Sequence, residues 1–164
     1  HRSLAIQICQ QGHEIQGLGE QAVCVEQMTA KACRKELQKI RETIGTVTEE
    51  PGVFFRIPGG EYNNEVLRTI YACGSYPVAW SVDSMDWKEY EASELVRQLL
   101  QSCTIRDGEI LRFHGEGENT GEMVKLLHPR LKEEGYEAVT VSQMVYKDRY
   151  RMTTDGRQIP EKSK

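Results

Sequence analysis

No run of apolar residues in this 164-residue chain approaches the length needed to cross a bilayer, and no secretory leader is visible. A membrane partner is therefore not expected. The chain starts at His1, so its cellular location is left open. Excess positive charge is also missing: 21 Lys and Arg stand against 25 Asp and Glu, a formal net charge of -4. A protein that tracks a nucleic-acid backbone needs a basic surface, so nucleic acid is not expected either. Cysteine is sparse and odd in number, with five residues (Cys9, Cys24, Cys33, Cys73 and Cys103) and no C-x-x-C. That supports neither a zinc ribbon nor a thiol redox motif. Cys33 and Cys73 fall on apolar helix faces and read as small buried hydrophobes. Gly115, Gly117 and Gly121 form a loose loop that follows no phosphate-binding pattern.

What is present suits one folded domain with a sizeable core. Hydrophobic residues make up 38% of the chain and charged residues 28%. The expected division is a domain over 1–146 and a polar, turn-rich tail over 147–164. Helices are expected from Ser3, from Thr29 to Gly45, from Asn63 or Asn64 to Gly74, from Ala92 to Cys103, and from Asn119 or Thr120 to Gly135. In the second of these, Cys33, Leu37, Ile40 and Ile44 repeat at helical spacing. Pro129 is expected to kink the last of them or to start its second half. Strands are expected at His13–Ile15, Val53–Arg56, Pro77–Val82, Glu109–Phe113 and Glu137–Val141, and a short helix from Ser142. Strands alternating with crossover helices give an α/β fold with a parallel sheet, rolled towards an incomplete (β/α) barrel.

The chemistry concentrates in Pro77-Val78-Ala79-Trp80-Ser81-Val82-Asp83-Ser84-Met85-Asp86-Trp87. An apolar run ends there in two carboxylates and a tryptophan. Phe54-Phe55-Arg56-Ile57-Pro58-Gly59-Gly60 and Ile110-Leu111-Arg112-Phe113-His114-Gly115 end in a similar way. Active groups of parallel α/β folds gather at the carboxyl ends of strands, which places Arg56, Asp83 and His114 on one face. His13 begins its expected strand and reads as structural. Taken singly, these residues have simpler readings. Asp83 and Asp86 can cap a loop, Arg56 can form a buried ion pair with either, and His114 can be a satisfied core histidine.

Together the motifs resemble the NodB-homology domain of the polysaccharide deacetylases, carbohydrate esterase family 4. Gly12-His13-Glu14-Ile15 is similar to the family's G-H-E-I, and Phe55 to Asn63 to F-R-P-P-Y-G-x-Y-N. Trp80 to Trp87 resembles W-S-V-D-x-x-D-W, Ile110 to His114 resembles I-x-L-L-H, and Gly135 to Ser142 resembles G-Y-x-F-V-T-L-S. The resemblance implies removal of acetyl groups from N-acetylated polysaccharide or oligosaccharide. A divalent metal such as zinc, held by one Asp and two His, would polarise the acetyl carbonyl and activate water. By the same resemblance His114 is the acid that protonates the leaving amine, Asp86 its carboxylate partner, and Arg56 the arginine that tunes the base. Trp87 and Tyr62 would line the saccharide groove with Asp83, and Leu111 the acetyl pocket.

The departures lie on the metal side. The two histidines of H-[ST]-x-x-H correspond to Leu18 and Ala22, and neither can bind a metal. T-F-D-D-G, which supplies the base and the third ligand, has no counterpart, and the first strands are expected to be missing from the fold. Glu20 alone would make a poor site. Thr154-Asp155-Gly156 faintly echoes the motif and reads better as a polar turn. No metal ligand and no cofactor are therefore expected in this chain. The reading is a deacetylase-like domain, impaired or inactive as a catalyst. The alternatives are an active metal-dependent deacetylase completed by residues outside this chain, and a non-enzymatic carbohydrate-binding or assembly module. A parallel sheet without its first strand exposes an edge. That edge is expected to be covered by a homo-oligomer contact or by the tail.

Overall fold

The computed structural model describes residues 1–19, 29–48, 52–115 and 117–161. The chain divides into two compact units, His1–Ala79 and Trp80–Lys164. The division falls inside the apolar run 77–82, expected above to be one strand. Its first half, Tyr76–Val78, pairs within the first unit, and its second half, Val82–Asp83, pairs within the second.

The N-terminal unit runs α1 (Arg2–Gln10), β1 (Gly17–Leu18), α2 (Ala30–Gly45), β2 (Phe54–Arg56), a 3-10 turn (Pro58–Gly60), α3 (Asn64–Ala72) and β3 (Tyr76–Val78). The three strands form a parallel sheet in the order β1-β2-β3. Gly17 pairs with Phe55, and Phe55 with Pro77. The caps follow the sequence: Thr29 accepts the Ala32 N–H, and Asn63 accepts the Val66 N–H. The repeat on α2 buries Cys33 and Leu37 against Phe55, Ile57, Val66 and Ile70, with Ile40 packed alongside. Each fully buried aliphatic side chain of this kind contributes about 1.5–3 kcal/mol. His13–Ile15 is not a strand, because pairing begins later, at Gly17. A Cβ on Gly17 would lie 2.9 Å from Ile40 Cγ2, so this glycine lets β1 pack directly on α2.

The C-terminal unit runs β4 (Val82–Asp83), α4 (Ala92–Ser102), β5 (Leu111–Arg112), α5 (Thr120–Glu133), α6 (Val141–Met144), β6 (Tyr150–Met152) and β7 (Gln158–Pro160). Strands β4 and β5 are parallel, with Val82 opposite Leu111 and Asp83 opposite Arg112. Helices α4 and α5 bury Leu95, Val96 and Leu99 against Met123 and Leu127. Pro129 sits inside a helix that continues to Glu133. The expected strand at 137–141 is absent. Val139 is exposed, and Thr140 caps α6 through a reciprocal capping box with Gln143.

The tail is more ordered than its composition suggests. Strands β6 and β7 form an antiparallel hairpin around the turn at Thr154 and Asp155. Among the described residues this hairpin pairs only with itself, so it adds no strand to a parallel sheet. It is anchored instead by Arg157, whose Nη2 donates to Glu109 Oε1 at 2.7 Å.

Candidate functional site

The site is built on the turn that follows β4. Asp83 Oδ1 accepts the Met85 N–H at 2.9 Å, and Met85 takes a left-handed conformation, φ 57°. That conformation costs a non-glycine residue about 1–2 kcal/mol. It reverses the chain and turns Asp86 inward, where it is 1% exposed.

Asp86 is a buried carboxylate surrounded by donors. Oδ1 accepts from Ser84 Oγ at 2.9 Å and from the His114 N–H at 2.9 Å. Oδ2 accepts from the Gly115 N–H at 3.1 Å and from Thr120 Oγ1 at 2.6 Å. His114 Nδ1 lies 2.9 Å from Oδ1. Burial by itself raises the Asp86 pKa, but the hydrogen bonds from Thr120, from the His114 backbone and ring, and from Gly115 together outweigh it. The carboxyl is held well below the ordinary carboxylate range and is ionised at neutral pH. The loop after β5 passes close by. A Cβ on Gly117 would lie 2.1 Å from the Asp86 carbonyl oxygen, so only glycine fits there.

On its outer side the His114 ring meets Arg112 and Trp87. Arg112 Nη2 is 2.7 Å from His114 Nε2 and 2.6 Å from Asp83 Oδ2. The guanidinium also stacks on Trp80, 3.7 Å from the ring centroid. Trp87 meets the imidazole edge-on, with centroids 6.3 Å apart, and is 55% exposed. Lys88 Nζ lies 5.7 Å from the Trp87 ring centroid. The result is a half-open surface with a fixed histidine, a guanidinium and an exposed indole.

The structure thus brings together Asp83, Asp86, Trp87 and His114 of the predicted set. Leu111 packs with Phe113 against the core around Val82 and Met123. Strand alternation puts Arg112, not Leu111, on the side of β5 that carries His114. Arg56 and Tyr62 belong to the N-terminal unit. Arg56 is half-buried at the end of β2, opposite Val78 and Leu18. Tyr62 is exposed beyond the 3-10 turn. Asp83, offered above as a partner for Arg56, pairs with Arg112.

Sequence reasoning missed Arg112, Trp80, Ser84 and Thr120. A signal for Arg112 was available: an arginine two residues before the histidine in an otherwise apolar strand shares its face.

The described residues do not fit a divalent metal. Among them no group of three or more His, Cys, Asp and Glu side chains converges. Leu18 is a half-exposed aliphatic residue at the end of β1. Ala22 and Glu20 lie outside the described residues, as does Cys24. Among the described residues no helix is long and apolar enough to cross a membrane.

A sequence profile of the polysaccharide deacetylases matches residues 1–78. The chain is 28% identical over 138 residues to the peptidoglycan-N-acetylglucosamine deacetylase PgdA of Listeria monocytogenes, which covers 82% of this chain and 28% of the relative. It is 26% identical over 147 residues to a peptidoglycan-N-acetylglucosamine deacetylase of Bacillus cereus, covering 87% of this chain and 68% of the relative. The chain therefore spans little more than a quarter of the first relative and about two thirds of the second. Among solved structures, a carbohydrate esterase family 4 pseudoenzyme from Bacillus anthracis superposes with a TM-score of 0.78 at 23% identity, covering 87% of this chain and 50% of that one. A family 4 carbohydrate esterase from Streptomyces lividans in complex with acetate gives 0.74 at 18% identity, covering 98% of this chain and 77% of that one. At these identities the superpositions establish a shared fold.

Proposed function

We propose that this chain, whose residues 1–78 match the polysaccharide deacetylase model, engages N-acetylated saccharides while being impaired as a deacetylase. The observation that carries this reading is the pairing of His114 with the buried Asp86 beside the exposed Trp87. These are the residues that resemble the family's acid pair and groove wall. In this reading Trp87 is an aromatic platform for a pyranose ring. Asp86 fixes the His114 ring by accepting at Nδ1. Arg56 is the residue that resembles the family's base-tuning arginine. Asp83 serves the site by holding Arg112.

The impairment rests on side-chain chemistry. Leu18 and Ala22 stand at the positions of two metal-binding histidines, and hydrocarbon side chains offer no lone pair. No step is therefore assigned to a metal.

Calorimetric titration with chitooligosaccharides, paired with acetate-release assays in added zinc, tests the proposal. Saturable binding without acetate release is expected. Trp87→Ala should weaken binding about tenfold or more, or about 1.4 kcal/mol. Acetate turnover with a stoichiometric bound metal would refute the impairment. Failure to bind any N-acetylated saccharide would refute the remainder.

A further inference from the structure

We propose that Arg112 is a positioning residue that locks His114 as the neutral Nδ1–H tautomer, with Nε2 a hydrogen-bond acceptor, so that the histidine cannot serve as a proton donor while the guanidinium is in place.

An arginine side chain can only donate, and an ionised carboxylate can only accept. Arg112 Nη2 is 2.7 Å from His114 Nε2, so Nε2 carries the lone pair. Nδ1 is 2.9 Å from Asp86 Oδ1, so Nδ1 carries the proton. Each ring nitrogen faces a partner of only one kind, and this fixes the tautomer. The two Nη2 hydrogens are both used, one towards Asp83 Oδ2 and one towards His114. A proton added at Nε2 would set N–H against N–H and place a cation beside a cation. An acid that protonates a leaving amine needs that proton at that nitrogen.

Arg112 does not depend on His114 for its position. Asp83, its Cα partner across β4 and β5, fixes one end of the guanidinium. Trp80 fixes its face. The buried Nε has no hydrogen-bond partner, a cost the arrangement tolerates. Among the described residues the charged groups around His114 in this unit are Asp86 and Asp83 from the turn after β4, Arg112 from its own strand, and Lys88 above Trp87. Helix α5 contributes only the neutral hydroxyl of Thr120, which donates to Asp86.

The functional meaning of this inference rests on the saccharide reading above; the tautomer does not. A long-range proton–nitrogen correlation spectrum of the 15N-histidine-labelled chain tests it without any sugar. His114 is assigned among the four histidines by the signal lost in His114→Gln. At pH 7.5 the expected pattern is a protonated Nδ1 and an unprotonated Nε2. Arg112→Leu should lose that pattern, with proton density appearing at Nε2. Arg112→Lys, which keeps a cationic donor, should retain it. A parent spectrum with Nε2 protonated overturns the proposal whether or not any variant folds. An unchanged pattern in a folded Arg112→Leu overturns the role of Arg112 specifically. Loss of saccharide binding with the parent tautomer intact would count against the saccharide reading alone.

Discussion

Replacing Asp86 with alanine should destabilise the C-terminal unit more than any other single change at the site. The carboxylate is 1% exposed and accepts from Ser84, Thr120, the His114 backbone and ring, and the Gly115 backbone. Each hydrogen bond to a charged group contributes about 1.5–3 kcal/mol, but these share one acceptor and do not add. What decides the magnitude is the set of donors left without a partner. Each buried donor left unsatisfied costs about 1–3 kcal/mol, so a loss of about 3 kcal/mol or more is expected. For a unit of this size each kcal/mol moves Tm by about 4–8 °C, so a fall of about 12 °C or more is expected. Asp86→Asn should fall in between, because it keeps one acceptor but turns an amide towards donors. Tryptophan fluorescence in urea is a clean probe. The chain has two tryptophans, Trp80 and Trp87, and both lie in the unit Trp80–Lys164. The signal therefore follows that unit alone. A loss below about 1 kcal/mol in Asp86→Ala would show that the donors are satisfied without the carboxylate, and the account of the site would fail.

Other outcomes follow from the same contacts. The Asp86 pKa is depressed in the folded state, so the unfolded chain binds more protons in acid. Its stabilisation is complete above the unfolded value of about 3.9 and is lost as pH falls through the folded one. Asp86→Asn should flatten that acid limb in urea midpoints measured between neutrality and pH 3; an unchanged limb would assign it to other carboxylates. Gly117→Ala should cost about 1–3 kcal/mol by the same fluorescence assay, because its Cβ would collide with the Asp86 carbonyl oxygen 2.1 Å away. Burial, then the neighbouring Cys73 and Glu36, push the Cys33 thiol up to about 11. Against a free-thiol value of about 8.5, native Cys33 should react with a disulfide reagent at pH 8 at least about a hundredfold more slowly than free cysteine. Peptide mapping after timed quenching reads this directly, and rapid native labelling would place Cys33 outside the core.

Much of the fold was legible because helices announce themselves locally. The 3.6-residue repeat of Cys33, Leu37, Ile40 and Ile44, with Thr29 ahead of it, specifies α2 without reference to the rest of the chain. Strands were harder, because each is defined by what pairs with it. Glu137–Val141 has strand composition but no partner among the described residues, and its backbone passes into α6. The run 77–82 reads as one strand because it is largely apolar. Its two ends pair with different strands, so the chain breaks at Ala79 and Trp80. Gly17 carries no strand signal of its own, yet its lack of a side chain permits close contact with Ile40. At the site, Asp86 and His114 were legible as motif residues. Ser84 and Thr120 were not, since hydroxyls become informative only once a buried carboxylate lies within reach.

Arg112 illustrates how one residue beside an Asp–His pair can alter what that pair does. Position 112 shares its face of β5 with His114 by two-residue alternation, and it shares a cross-strand register with Asp83. An aliphatic residue there would leave Asp83 facing a hydrocarbon and His114 Nε2 open. Arginine satisfies both, and Trp80, which precedes β4, provides the flat surface on which a guanidinium packs. The pieces are mutually dependent: Asp83 needs a cation, the cation needs a stacking partner, and His114 receives the remaining hydrogen. Asp86 and His114 are retained as a pair, but the direction in which the pair can move a proton is set by a neighbour that the motif does not include. Judging such a site by its Asp and His alone would assign it an acid. Counting the hydrogens around Nε2 assigns it an acceptor.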